Sequence, residues 1–381
     1  MNRVRLLDIS ETELPEETRI SYRFEFAGTV HDVYFRVSTP AANAAIETFL
    51  AFALLPAMKA GADLAIDKPL SGQMLGNVET IQDIFASWQP ETFRRVAIQA
   101  QPTCLATRTS TEIACFFSGG VDSFFTLLKH RDEITTLLLV HGFDISLENT
   151  ALSAEVSAAV RNVAARLNKK VIEIHTNIRA FSDLYLSWDM YHGSALAAVA
   201  LTMLPLFSRI YVPATQAYSD LLPWGSHPLV DPLWGNEQLH IIHDGCEATR
   251  LEKVAAISKS DVAMSTLRVC WLNPEGAYNC GRCDKCLRTM VHLYLVGALG
   301  RCTTLPGALS PHDLARAPIK DSICRIFAEQ NLRALRACNA DPKVIKAIED
   351  ALSGRYVRGF WRVRNKISLW LRKRVMRQPT T

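Results

Sequence analysis

Ser118-Gly119-Gly120-Val121-Asp122-Ser123 holds residues whose types and spacing suit phosphate chemistry. An apolar run ends there and a helical pattern begins, so the stretch reads as strand, glycine loop, helix. Gly119 and Gly120 carry no side chains to block a ligand. Backbone N–H groups can therefore converge on an anion at the positive end of the following helix. Ser118 and Ser123 add hydroxyl donors. Asp122 would repel a phosphate directly, so it acts through a Mg²⁺ ion or by fixing the loop backbone. The chemistry that fits is the cradling of a diphosphate. No Lys follows the second Gly, which separates the loop from a Walker A motif.

A second cluster, Cys270-x9-Cys280-x2-Cys283-x2-Cys286, has metal-ligand spacing. Thiolates two residues apart in a tight turn reach one tetrahedral ion, and a fourth from a preceding segment closes the shell. Gly281 allows the turn, while Arg282, Lys285 and Arg288 offset the thiolate charge. A closed four-thiolate site is structural, because no coordination position remains for substrate. Zinc is the expected ion, and an iron–sulfur cluster accepts the same four ligands. The ten cysteines of this 381-residue chain are too sparse for a disulfide scaffold.

The elements that must position these groups follow from periodicity. From Thr111 to Val212, apolar strands at Ile113–Phe117, Thr135–Val140, Lys170–His175 and Arg209–Val212 alternate with helical runs near Asp122–Lys129, Ala151–Leu167 and Ser194–Leu204. Such alternation predicts an α/β fold with a parallel sheet covered on both faces. Ligands bind beyond the carboxyl ends of such strands, which places His141 and Gly142 on the nucleoside side of the pocket. Residues 1–105 pattern as an additional N-terminal α+β domain without a chemical motif. Its alternating Ile20–Phe26 and Asp32–Val37 suggest a hairpin, followed by helices at Ala42–Ala60 and Leu75–Trp88. Residues 106–305 form the expected nucleotide domain with the four-cysteine metal site, and 306–381 a helical C-terminal region. The stretch Ala214–His240, rich in Pro, Trp and Gly, reads as an active-site cover offering Trp224, His227, Asp231 and Trp234.

The glycine loop resembles the SGGxDS signature of the PP-loop ATP pyrophosphatases, including the N-type enzymes that split ATP between its α and β phosphates. With the cysteine cluster, residues from about 113 to 300 resemble the 7-cyano-7-deazaguanine synthases, N-type enzymes whose zinc is held by a late Cys followed by CxxCxxC. Thr249-Arg250-Leu251-Glu252-Lys253-Val254 is similar to that family's Thr-Lys-Ala-Glu-Ile-Val, so Arg250 stands in place of a phosphate-contacting Lys. Two loops depart. His192-Gly193-Ser194 keeps only the glycine of a Gly-Arg-Asn segment. Ser226–Trp234 keeps the Asp-to-Pro skeleton of a Tyr-Pro-Asp-Cys-Arg-Pro substrate loop but lacks its Arg. The resemblance implies a Rossmann-like (adenine nucleotide alpha hydrolase-like) sheet with a zinc-binding segment, ATP, Mg²⁺ and Zn²⁺ as cofactors, and Ser118–Ser123 as the nucleotide loop. Asp122, Ser123 and Arg250 are the expected catalytic residues, and His192, His227, Asp231 and Trp234 the expected substrate contacts.

The expected activity is ATP-dependent, AMP- and diphosphate-forming adenylation of a small-molecule carboxylate, followed by attack of ammonia or another nucleophile to give an amide or nitrile. A tRNA-modifying PP-loop enzyme, thiolating or lysidine-type, is the alternative, with Cys246 rather than the strand residue Cys115 as its reactive thiol. A non-catalytic ATP-binding partner protein is the third reading, and a homodimer is the expected assembly. The formal charge of +4 is too small to argue for nucleic acid by itself. Arg355–Arg377, with nine Lys or Arg and no acid among Tyr356, Phe360, Trp361 and Trp370, fits an anionic membrane surface, RNA or a solvated tail. No apolar run of membrane-spanning length appears and the N-terminus lacks a signal-peptide core, so the cytoplasm is the expected compartment.

Overall fold

Alternation sets the first layer. The computed structural model describes residues 3–40, 42–106, 110–319 and 322–354. Arg3–Glu13 (β1), Thr18–Phe26 (β2) and Thr29–Val37 (β3) pair antiparallel in sequence. Every second residue of β2, from Thr18 through Ile20, Tyr22 and Phe24 to Phe26, is buried. The tight turn between β2 and β3 uses Ala27 and Gly28 at positive φ.

Ile46–Ala60 (α1) is buried nearly all round and stops at Gly61, whose left-handed φ closes the helix. Asp63–Ala65 (β4) runs parallel to β1. Leu70–Ser71 (β5) leads into Gly72–Trp88 (α2), where Ser71 Oγ caps the helix by accepting from Met74 N at 3.0 Å. Ile98–Gln99 (β6) joins β4, and Pro102–Thr103 (β7) pairs with β5.

The β/α alternation follows as expected: Ile113–Phe116 (β8), Val121–Lys129 (α3), Thr136–His141 (β9), Thr150–Leu167 (α4), Lys170–Thr176 (β10), Ile178–Ser182 (α5), Trp188–Thr202 (α6), Arg209–Pro213 (β11), His240–Asp244 (β12) and Arg250–Ile257 (α7). The large sheet is mostly parallel, in the order β12-β11-β8-β9-β10-β3-β2-β1-β4-β6. Strand β8 is the first of its parallel group in sequence yet sits in the middle. The order reverses between β8 and β11, so the glycine loop leaves the sheet where a crevice opens at the carboxyl edge.

The chain divides into two compact units, Met1–Ile257 and Ser258–Thr381, and not at residues 105 and 305. The expected N-terminal domain is no separate body, because β3 pairs antiparallel with β10 through Val37↔Ile174, Arg36↔His175 and Phe35↔Thr176. One core runs from Val4 to Ile241, and Phe24, Phe49, Phe52 and Phe181 meet edge to face within it.

The second unit holds the cysteine segment together with Asp261–Thr266 (α8), Asp284–Leu295 (α9), Pro311–Ala315 (α10), Ser322–Ala337 (α11) and Pro342–Ser353 (α12). Leu287 and Val291 of α9 share a core with Leu314, Leu335, Val344 and Ile348, which is why no boundary falls at 305. Asp341 caps α12 and Gly354 ends it. The basic stretch Arg355–Arg377 lies outside the described residues. Among the described residues no helix is long and apolar enough to cross a membrane.

Candidate functional site

After β8, buried Phe117 donates its N–H to Leu138 O at 2.8 Å, and the chain then turns sharply with Gly119 at φ 76°. Gly120 is the residue before α3 and supplies no side-chain cap to the first turn of the helix. Ser118 is exposed at the mouth of the loop and Val121 is buried beneath it. Ser123 is buried and its Oγ donates to Gly120 O at 3.1 Å, so this hydroxyl braces the loop from inside instead of facing outward.

Asp122 and Arg250 form an ion pair between α3 and α7. Lys253, three residues further along the same helix face, brings Nζ to 3.5 Å from Asp122 Oδ1 and donates to Ala214 O at 2.7 Å. Both cations are buried: the Lys253 side chain is 1% exposed and that of Arg250 7%. Arg250 Nε is buried without a hydrogen-bond partner. Two enclosed cations sharing one carboxylate leave a local positive excess beside the glycine loop, with one guanidinium N–H unused. Asp122 thus ties α3 to α7. Lys253 is a member of this group that the pattern alone did not single out.

Asp244, at the carboxyl end of β12, ties the other end of α3 to the sheet. It accepts from Thr126 Oγ1 at 2.8 Å, Lys129 Nζ at 2.8 Å and His130 Nε2 at 2.9 Å. Burial opposes its ionisation, but these donors win and hold its carboxyl below the usual range.

His141 ends β9, and Gly142, half-buried, follows it. His141 is buried, stacked on His175 at 4.4 Å, and bonded through Nε2 to Glu173 Oε2 at 3.1 Å. Ser157 and Arg161 on α4 also engage Glu173, at 2.7 and 2.6 Å. Burial disfavours the Glu173 carboxylate, but these partners lower its pKa to about 2; burial, then His141 and Arg36, lower that of His175 to about 4. The three side chains His141, Glu173 and His175 are close enough to share an ion. However, Arg161 occupies the carboxylate and Arg36 stands near His175, and both oppose a dication. At Gly142, φ 96°, a Cβ would meet Thr176 O at 2.1 Å, so strand packing requires this glycine.

Within Ala214–His240 the chain packs closely on α6. Gly193 on α6 and Gly225 of the loop meet main chain to main chain: a Cβ at Gly193 would lie 2.0 Å from Gly225 O, and one at Gly225 2.7 Å from Met190 C. Trp234 is fully buried in the main core, which corrects its expected substrate role. His227 is also buried, edge-on to Trp88 at 4.9 Å, and its Nδ1 accepts from Leu229 N at 3.1 Å. His192 is half-buried; its Nδ1 donates to Trp188 O at 3.1 Å and its ring lies 5.8 Å from that of Trp224.

Asp231 accepts from Ser226 Oγ at 2.6 Å and lies 2.7 Å from His243 Nδ1. Burial alone would lower the pKa of His243, but Asp231 and the Cys246 side chain raise it to about 9. His243 was not legible beforehand, because it meets Asp231 only when β12 is set against the loop.

In the second unit Cys270, Cys280, Cys283 and Cys286 place their sulfurs within 4.8 Å of one another. Cys280 and Cys286 are 4.0 Å apart, and Cys283 and Cys270 3.9 Å. Sulfurs about 2.3 Å from a tetrahedral zinc stand about 3.8 Å apart, so this group could bind zinc. Backbone N–H groups of Asn273, Cys283 and Cys286 point at the sulfurs of Cys270, Cys280 and Cys283, which favours thiolates. The side-chain contact with Cys286 holds Cys283 below the usual thiol range, while the same contact and burial push Cys286 up. Gly281, φ 67°, makes the turn, and a Cβ there would meet Pro306 Cγ at 2.8 Å. Asn279, overlooked in the pattern, accepts from Val269 N and Cys270 N and donates to Leu267 O and Thr304 O, fixing the first ligand.

Compared with protein-family models, curated proteins and solved structures, the chain matches none.

Proposed function

We propose that the first unit is a Rossmann-like PP-loop domain that binds ATP and adenylates a small-molecule carboxylate, releasing AMP and diphosphate. The observation that carries this reading is the uncapped glycine loop at the reversal of strand order, with buried Arg250 presenting an unpartnered Nε beside it. An anion of high charge fits this corner better than a neutral ligand. In the reaction, a carboxylate oxygen attacks the α-phosphorus and the bond to the β-phosphate breaks. The departing diphosphate is met by the loop amides, Arg250 and Lys253, which are fixed before charge develops. Asp122 keeps the two cations in place and supplies no ligand to Mg²⁺ here, since Arg250 and Lys253 surround it. Mg²⁺, when bound with the nucleotide, would add charge neutralisation at the phosphates.

The resemblance to 7-cyano-7-deazaguanine synthases makes 7-carboxy-7-deazaguanine the first acceptor to try, with ammonia as nucleophile. Incubation with ATP-Mg²⁺ and a panel of carboxylates including that acid should give AMP and diphosphate. Arg250→Ala should slow AMP release by about 100-fold, the scale of losing one preorganised charge contact. ADP as the product, or AMP release unchanged in Arg250→Ala, overturns the reading.

A further inference from the structure

In the second unit α9, α11 and α12 close on a pocket of about 490 Å³, part of it open to solvent. Leu287 and Val291 of α9, Phe327 of α11 and Ile348 of α12 give it apolar walls. Asn331 of α11 interrupts them. This side chain lines the pocket, is 5% exposed, and its Oδ1 is buried with no hydrogen-bond partner among the described residues. A buried carbonyl left in that state is costly, and apolar walls offer a water few of the partners it needs. A ligand that donates a hydrogen bond there would relieve the cost.

Other polar side chains of the pocket are already engaged. Asp284 Oδ1 accepts from Trp271 Nε1 at 2.9 Å, and its Oδ2 lies 3.9 Å from Cys324 Sγ. Arg288 holds its guanidinium 4.0 Å over the Phe327 ring. Asp284 and Arg288, four residues apart on α9, also offset each other in charge. Among the described lining residues, therefore, no net charge selects an ion.

We propose that this pocket binds a small neutral molecule with an apolar ring and one N–H or O–H group, which donates to Asn331 Oδ1. The walls supply affinity through the apolar surface they take from water. Asn331 supplies orientation, and it selects a donor over an acceptor at that position. Every residue involved lies in the Ser258–Thr381 unit, so the site is independent of the adenylating reading.

The test titrates indole into the full chain, with binding read by ligand-detected saturation-transfer NMR. Benzofuran is the same bicycle with an oxygen acceptor where indole has its N–H. It should bind about 10-fold more weakly, the effect of leaving the Asn331 carbonyl unpaired. Benzoate, similar in size but anionic, should also bind more weakly than indole. Asn331→Leu should remove the preference for indole over benzofuran. Ala328→Trp, at a half-buried position lining the pocket, should abolish binding of both. Circular dichroism melts establish that each variant is folded. Absence of indole binding at about 1 mM overturns the proposal. So does equal affinity for indole and benzofuran in the wild type, a preference that survives Asn331→Leu, binding that survives Ala328→Trp, or tighter binding of benzoate. The comparison of indole with benzofuran needs no variant, so it decides the matter even if both substitutions unfold the unit.

Discussion

Arg250 and Lys253 share Asp122 because a spacing of three residues puts both on one face of α7. His243 shows the opposite economy, one buried imidazole held by the Asp231 carboxylate at 2.7 Å. Its folded pKa of about 9 exceeds the ordinary 6.5, so its stabilising contribution is full below pH 6.5 and is lost as pH rises through 9. The shift corresponds to about 3 kcal/mol. Urea unfolding at pH 6.5 and 9.5 should show that difference, and Asp231→Asn should flatten it; equal slopes in both proteins would refute the coupling. None of this was readable in the chain, since Asp231 and His243 are ordinary residues until a loop and a strand end meet. Trp234 was misread for the same reason: an aromatic among prolines and glycines looks functional until its burial is known.

The elements most legible in advance are those whose signals are local. Strand, glycine loop and helix around Ser118, and the turn that gathers Cys280, Cys283 and Cys286, are each written within a short run of residues. Asn279 went unnoticed because its partners come from both sides of the turn and from Thr304. The sulfur spacing carries a prediction at this scale. Metal analysis should find one zinc per chain, and the protein should be colourless; iron with a visible chromophore would overturn zinc. Structural zinc contributes about 10 kcal/mol to small domains, so chelation or Cys283→Ser should abolish the cooperative melting of the Ser258–Thr381 unit. An unchanged melt would remove the structural role.

At the scale of the whole molecule, pairing of β3 with β10 joins sequence regions that composition separates. Strands so far apart in sequence pair without leaving a local trace, whereas the parallel alternation from β8 to β11 was plain from apolar runs and helical spacing. A chain starting at residue 106 should be insoluble, because it bares the β10 edge and the aromatic face that Phe24, Phe35 and Phe52 cover. A soluble, folded product would show that the segment before it is dispensable after all. The meeting of Gly193 with Gly225 bears on how much change this seam tolerates. Backbone against backbone has no rotamer to turn and no side chain to shorten, so an added methyl group must push two main chains apart. Gly193→Ala should therefore lower the melting temperature of the Met1–Ile257 unit, and an unchanged melt would show that the seam yields.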